Sequence, residues 1–140
     1  MKKYIGCKCV EAEPCKAWKE MGTHKIGEKG YRVVYPDGYV SWCPKDAFEK
    51  AYMQIGDNNT VTQELVDKFI KDVHVKTVDN KATVVVVELI NGFKMVEGSA
   101  CVDPANYDEK IGAEICMNKI KDKLWELLGF VLQTAFKGLK

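Results

Sequence analysis

The sequence predicts an α+β fold: an antiparallel sheet wound as a meander, a long C-terminal helix, and an N-terminal β-hairpin and helix module. Three observations predict it. Asn91-Gly92 stands between two strand-like runs, the strongest short hairpin signal in the chain. Pro36-Asp37-Gly38 stands between two more runs, rich in Tyr, Val and Trp. From Ile111 onward, apolar residues recur at helical spacing through Leu128.

In chain order, residues 3–11 alternate as a strand, and Pro14 is expected to stop it. Residues 17–21 read as one helical turn ended by Gly22, followed by a polar loop over residues 24–30. The hairpin uses Tyr31-Arg32-Val33-Val34-Tyr35 and Tyr39-Val40-Ser41-Trp42. Proline presets φ in its turn and glycine accepts a positive φ. Residues 43–52 then read as a short helix, with Pro44 in its first position, Asp46 in its first turn, and Phe48, Ala51 and Tyr52 on its apolar stripe. So small a unit buries too little to stand alone and is expected to dock on the rest. The polar, turn-prone residues 54–59 mark a linker, which divides the chain into a module at 1–57 and a core domain at 58–140.

The second half opens with a helix capped by Thr60 and boxed by Gln63, its apolar face made of Leu65, Val66, Phe69, Ile70 and Val73. Residues 74–78 form a strand and Asp79-Asn80-Lys81 a turn. Residues 82–90 hold Val84-Val85-Val86-Val87, the strongest strand signal, apolar on both faces and therefore central. Residues 93–97 return as the third strand. The last helix starts near Asp108, with Asn106 and Glu109 as cap and box, and Gly129 is expected to break or kink it. Its apolar surface is wider than one stripe, so it packs against its own sheet and against a second partner, either the first module or another subunit.

Composition narrows the function classes. The 140 residues carry a formal net charge of +1, with Arg32 as the single arginine. Duplex nucleic acid, which demands clustered Lys and Arg, is not the expected partner. No apolar run reaches membrane length and no signal peptide is evident, so the reading is a cytosolic protein with no membrane partner. Six cysteines are present, and Cys7, Cys9, Cys15 and Cys43 with His24 offer a zinc set. The Cys7-x-Cys9 spacing is tighter than a zinc knuckle, so free thiols are the main reading and no metal or cofactor is expected. Cys116, within a helix pattern, is a small hydrophobe. No nucleophile constellation, phosphate loop or dinucleotide fingerprint occurs, and His24 and His74 stand alone, so the chain reads as non-catalytic.

A binding site is easier to assemble. The stretch from Phe93 through the elbow Asp103-Pro104-Ala105-Asn106-Tyr107 gathers rings, an amide, a hydroxyl and a carboxylate beside a helix start. Phe93 and Tyr107 offer stacking faces, Ser99 and Asn106 offer hydrogen bonds, and the helix start offers amides to a phosphate. Asp103 adds turn chemistry, and Lys119 and Lys123 share a helix face. Each residue also has a plain structural role open to it: core packing for Phe93, capping for Asn106, a solvated face for the lysines.

Asn91-Gly92-Phe93, the block Ser99-Ala100-Cys101-Val102-Asp103-Pro104-Ala105-Asn106-Tyr107, Ile111-Gly112 and Lys123-Leu124-Trp125-Glu126-Leu127 resemble a widespread family of small tailed-phage proteins, over roughly residues 60–132. Residues 30–52 separately resemble a short module at the ends of many phage proteins, in which serine usually stands where this chain has Cys43. The phage family is in turn similar to the Thoeris anti-defence sponges. That resemblance implies a homo-oligomer, a dimer or higher, in the host bacterial cytoplasm. It would bind a cyclic nucleotide immune signal, a cyclic ADP-ribose isomer or a cyclic oligonucleotide, and hold it without cleaving it. Asn106 and Lys123 match the amide and basic contacts so implied. The alternative is a non-catalytic phage protein that binds a host protein through the apolar helix face.

Overall fold

The computed structural model describes residues 1–140. Two compact units emerge: residues 1–54 together with 132–140, and residues 55–131. The architecture is the expected α+β type, with two three-stranded antiparallel sheets and a long C-terminal helix.

In the first unit, strands β1 (Glu11–Lys16), β2 (Lys29–Val34) and β3 (Val40–Pro44) lie side by side in that order. The Pro-Asp-Gly hairpin forms as its residues dictate. Gly38 takes φ +87°, its N–H donates to Tyr35 O at 2.8 Å, and the Asp37 carboxylate accepts from Tyr39 N at 3.0 Å. Trp42 and Val33 are buried, and the Trp42 indole N–H donates to Cys15 O at 2.8 Å. A Cβ on Gly30 would meet the Trp42 ring at 2.5 Å, so only glycine lets β2 pass the indole. Helix α1 (Lys45–Ala51) stacks Phe48 on Tyr31 at 4.1 Å and on Tyr52 at 4.9 Å. Pro44 is its N-cap rather than its first helical residue.

The beginning of the chain departs from expectation. Residues 3–10 form no strand, and β1 starts at Glu11 and runs through Pro14. Pro14 pairs opposite Tyr31 on an edge strand, where a missing N–H faces outward and costs no ladder bond. The expected helical turn at 17–21 is instead a tight loop, in which Met21 and His24 bridge and Gly22 takes φ +59°. Cys9 N donates to Ala135 O at 3.2 Å, joining the first residues to the last part of the chain within this unit.

In the second unit, α2 (Gln63–Phe69) leads into the meander β4 (Ile70–Val78), β5 (Ala82–Leu89) and β6 (Lys94–Ala100). Thr62, not Thr60, caps α2 by accepting from Leu65 N at 3.1 Å, while the Thr60 hydroxyl donates to Asp57 O. Ile70 and Val73 belong to β4 rather than to the helix, because the chain changes period at Ile70. Asp79 and Asn80 both take positive φ, which closes the three-residue turn, residues 79–81, between β4 and β5. Gly92, at φ +87°, closes the next.

Strand β5 is central, as its sequence implies, but buries only one face: Thr83, Val85, Val87 and Leu89 are buried, and the residues between them are half-exposed. Helix α3 (Glu109–Lys137) lays Gly112, Cys116, Ile120, Leu124 and Leu128 on this core, each four residues apart. Burying a side chain such as Ile120 contributes roughly 1.5–3 kcal/mol. Gly129 does not break α3. A helix glycine costs only about 1 kcal/mol against alanine, too little to end a helix whose buried residues run up to Leu128 beside it. No helix is long and apolar enough to cross a membrane.

Candidate functional site

The elbow follows from local chemistry. Asp103 caps a single 3₁₀ turn, Pro104–Asn106, by accepting from Ala105 N at 2.9 Å, and Pro104 presets the first dihedral of that turn. Asp108 then caps α3, its Oδ1 accepting from Lys110 N at 2.9 Å and from Ile111 N at 3.3 Å. The cap is therefore Asp108, not Asn106. The Asp108 carboxylate thus takes the Lys110 and Ile111 amides that the sequence reading offers a phosphate, and Glu109 adds a second negative charge at the helix start.

Tyr107 points inward and anchors the elbow. Its hydroxyl lies 2.8 Å from the hydroxyls of both Thr77 and Thr83. Thr77 also donates to the Glu109 carboxylate. Each hydroxyl has one proton, so the chain of donors runs in one direction: Thr83 to Tyr107, Tyr107 to Thr77, Thr77 to Glu109. Ser99 donates to Gly112 O at 3.2 Å, tying β6 to the first turns of α3.

Between these ties opens a cleft of about 90 Å³, lined by Lys81, Ser99, Cys101, Asn106, Tyr107 and Ile111 among others. Three of the expected binding residues, Ser99, Asn106 and Tyr107, meet there. Asp103 turns the chain beside it without lining it. Phe93 lies before the other end of β6, about 20 Å from Ser99 by strand rise, and is 56% exposed. Lys119 and Lys123 lie one and two helical turns beyond Ile115, which also lines the cleft. Both are turned onto β6: the Lys119 ammonium donates to Gly98 O at 3.2 Å, and Lys123 forms an ion pair with Glu97. The Lys123 ammonium beside it holds the Glu97 carboxyl below the ordinary glutamate value.

Lys81 is the cation that reaches the cleft, and sequence reading missed it. Its ammonium donates to Val102 O at 3.1 Å. The signal was present in the Asn-Gly hairpin. That turn sets Ala82 opposite Ala100, and the same register carries Lys81 next to Cys101, whose N–H donates to Lys81 O at 2.9 Å.

No group of three or more His, Cys, Asp or Glu side chains is placed to hold a metal, and all six cysteines are free thiols. In the first unit, an open depression of about 510 Å³ is lined by His24, Glu28, Lys29 and residues 44–47. His24 there faces the Glu28 carboxylate at 2.6 Å and the edge of Trp42.

The model of the phage protein (N4 Gp49/phage Sf6 gene 66) family matches residues 61–136, more than half of the chain, and takes in the whole elbow and its cleft. The chain belongs to that family. In this phage family member, the matched span begins just before the Thr62 cap of α2 and ends one residue before the end of α3. No curated protein and no solved structure is a match for it.

Proposed function

We propose that this phage protein binds a cyclic nucleotide immune signal, a cyclic ADP-ribose isomer or a cyclic oligonucleotide, and sequesters it without cleaving it. It would act as a homo-oligomer in the host bacterial cytoplasm, in the manner of the Thoeris anti-defence sponges that its sequence resembles. The observation that carries the reading is the elbow cleft, where a hydroxyl (Ser99), an amide (Asn106) and an ammonium (Lys81) converge. Those groups suit ribose, base edge and phosphate respectively. At about 90 Å³ the cleft is smaller than the roughly 300–1,000 Å³ of sites that enclose such ligands, so a second copy supplies the remaining walls. Phe93, Lys119 and Lys123, which lie outside the cleft of their own chain, are the groups a neighbouring copy would bring.

Native mass spectrometry of the protein with cyclic ADP-ribose isomers and cyclic oligonucleotides tests this. The expected species is an oligomer carrying ligand of unchanged mass, released intact on denaturation. Lys81→Ala and Asn106→Ala should lose most of the bound ligand. An oligomer that carries none of these ligands, or one that releases a cleaved product, overturns the reading.

A second reading rests on Ile111, Ile115 and Leu127, which leave 57%, 44% and 41% of their surface exposed along α3. There the protein binds a host protein through this helix face. A stable complex with a host protein, abolished by Ile111→Glu and Ile115→Glu and formed without nucleotide, would favour it.

A further inference from the structure

Strand β4 is an edge of the second sheet, and its outward edge can be read from the ladder beside it. Cys101 N donates to Lys81 O and Leu89 N to Phe93 O, so the odd-numbered residues of β5 direct their backbone groups at β6. Its even-numbered residues therefore serve β4, where they pair with Asp72, His74 and Lys76. Val73 and Val75 are left with their backbone N–H and C=O groups directed away from the sheet.

From this geometry we infer that β4 pairs antiparallel with β4 of a second copy of this chain, about a two-fold axis at His74, joining two three-stranded sheets into one of six strands. Three features of β4 carry the inference. The first is charge. Pairing centred on His74 sets Asp72 opposite the second copy's Lys76, and Lys76 opposite its Asp72. Charges on an edge strand ordinarily keep edges apart, but they do so when the facing charges are alike. Here the sequence reads as its own complement.

The second feature is hydrogen bonding. The same register sets Val73 opposite the second copy's Val75 as a hydrogen-bonded pair, which uses the outward groups of both. Asp72 and Lys76 then fall in the closer, non-hydrogen-bonded positions, where side chains interact best.

The third is apolar cover. Val73 and Val75 share a face with Val87 and Val85 of β5, which are fully buried, yet they remain 42% and 40% exposed. The second copy's Val75 and Val73 would cover them and carry the apolar layer across the seam. The pairing is confined to residues 72–76 at one end, because the register shifts between Ile70 and Asp72.

This inference rests on the homo-oligomer part of the proposed function and on nothing in its ligand part, since none of these residues lines the cleft.

Sedimentation velocity of the full chain over a range of concentrations tests it, with circular dichroism to confirm that each variant folds. The wild type is expected to dimerise. Asp72→Lys and Lys76→Asp should each weaken dimerisation by about tenfold or more, since each converts two attractive contacts into repulsive ones. The double variant D72K/K76D should restore it, because it rebuilds both pairs with their signs exchanged. A wild-type chain that stays monomeric overturns the seam and the oligomer reading together. A chain that dimerises equally well in all three variants, or a double variant no tighter than the singles, overturns the seam alone.

Discussion

Gly112 lies so close to Thr83 that a Cβ on it would come within 2.1 Å of the threonine hydroxyl and 2.8 Å of its Cβ. Here α3 packs directly on β5, and both residues are buried. Gly112→Ala is therefore expected to destabilise the second unit by about 1–3 kcal/mol, the usual cost of overpacking, despite the better helix propensity of alanine. Urea unfolding measures it. A neutral or stabilising effect would mean that the helix can move off the sheet here.

The hydroxyl relay from Thr83 through Tyr107 to Thr77 gives the second test. Tyr107→Phe keeps the ring and leaves the buried Thr83 hydroxyl without its acceptor. The expected loss is about 1–3 kcal/mol. Faster amide exchange confined to the elbow would accompany it, since the relay ties that segment to β4 and β5.

Glu97 and Lys123 give a pH dependence with a definite sign. The Lys123 ammonium depresses the Glu97 carboxyl in the folded protein, so the stabilisation it represents is present above the ordinary glutamate value of about 4.5 and is lost as pH falls through the lower, folded value. In Lys123→Gln, Glu97 should titrate at higher pH than in wild type when followed by carboxyl NMR. The stability difference between the two proteins should shrink on acidification. An unchanged Glu97 titration would remove the pair as a contributor.

Gly129 gives the opposite sign to Gly112. It sits inside α3, and a Cβ built there would meet nothing within 4 Å. Gly129→Ala should stabilise by about 0.5–1 kcal/mol, seen as a raised denaturation midpoint with unchanged slope.

The sequence showed the hairpins most plainly because their turns are chemical: Pro-Asp-Gly, Asp-Asn and Asn-Gly each force a backbone that few other residues allow. The boundary between α2 and β4 was hidden. Ile70 and Val73 fit the helical spacing of Leu65, Val66 and Phe69, and also the alternation that continues through Val75, so the two periods overlap. Pro14 misled because a proline within a strand is forbidden only away from an edge, and edge position is a tertiary fact. At the elbow, Ser99, Asn106 and Tyr107 were legible as neighbours in sequence. The lysines were not, since Lys119 and Lys123 are claimed by Gly98 and Glu97 across the fold, while Lys81 enters the cleft through strand register.

The last residues of α3 belong to the same unit as the first strands. A ribosome delivers the two parts of that unit at opposite ends of synthesis. Residues 55–131 form a compact unit of their own, and its whole sequence is available once α3 has emerged as far as Val131, whereas Cys9 must wait for Ala135. The middle of the chain can thus finish folding before its beginning does, and a product truncated ahead of Leu132 would leave the first unit short of part of its structure while leaving the elbow whole.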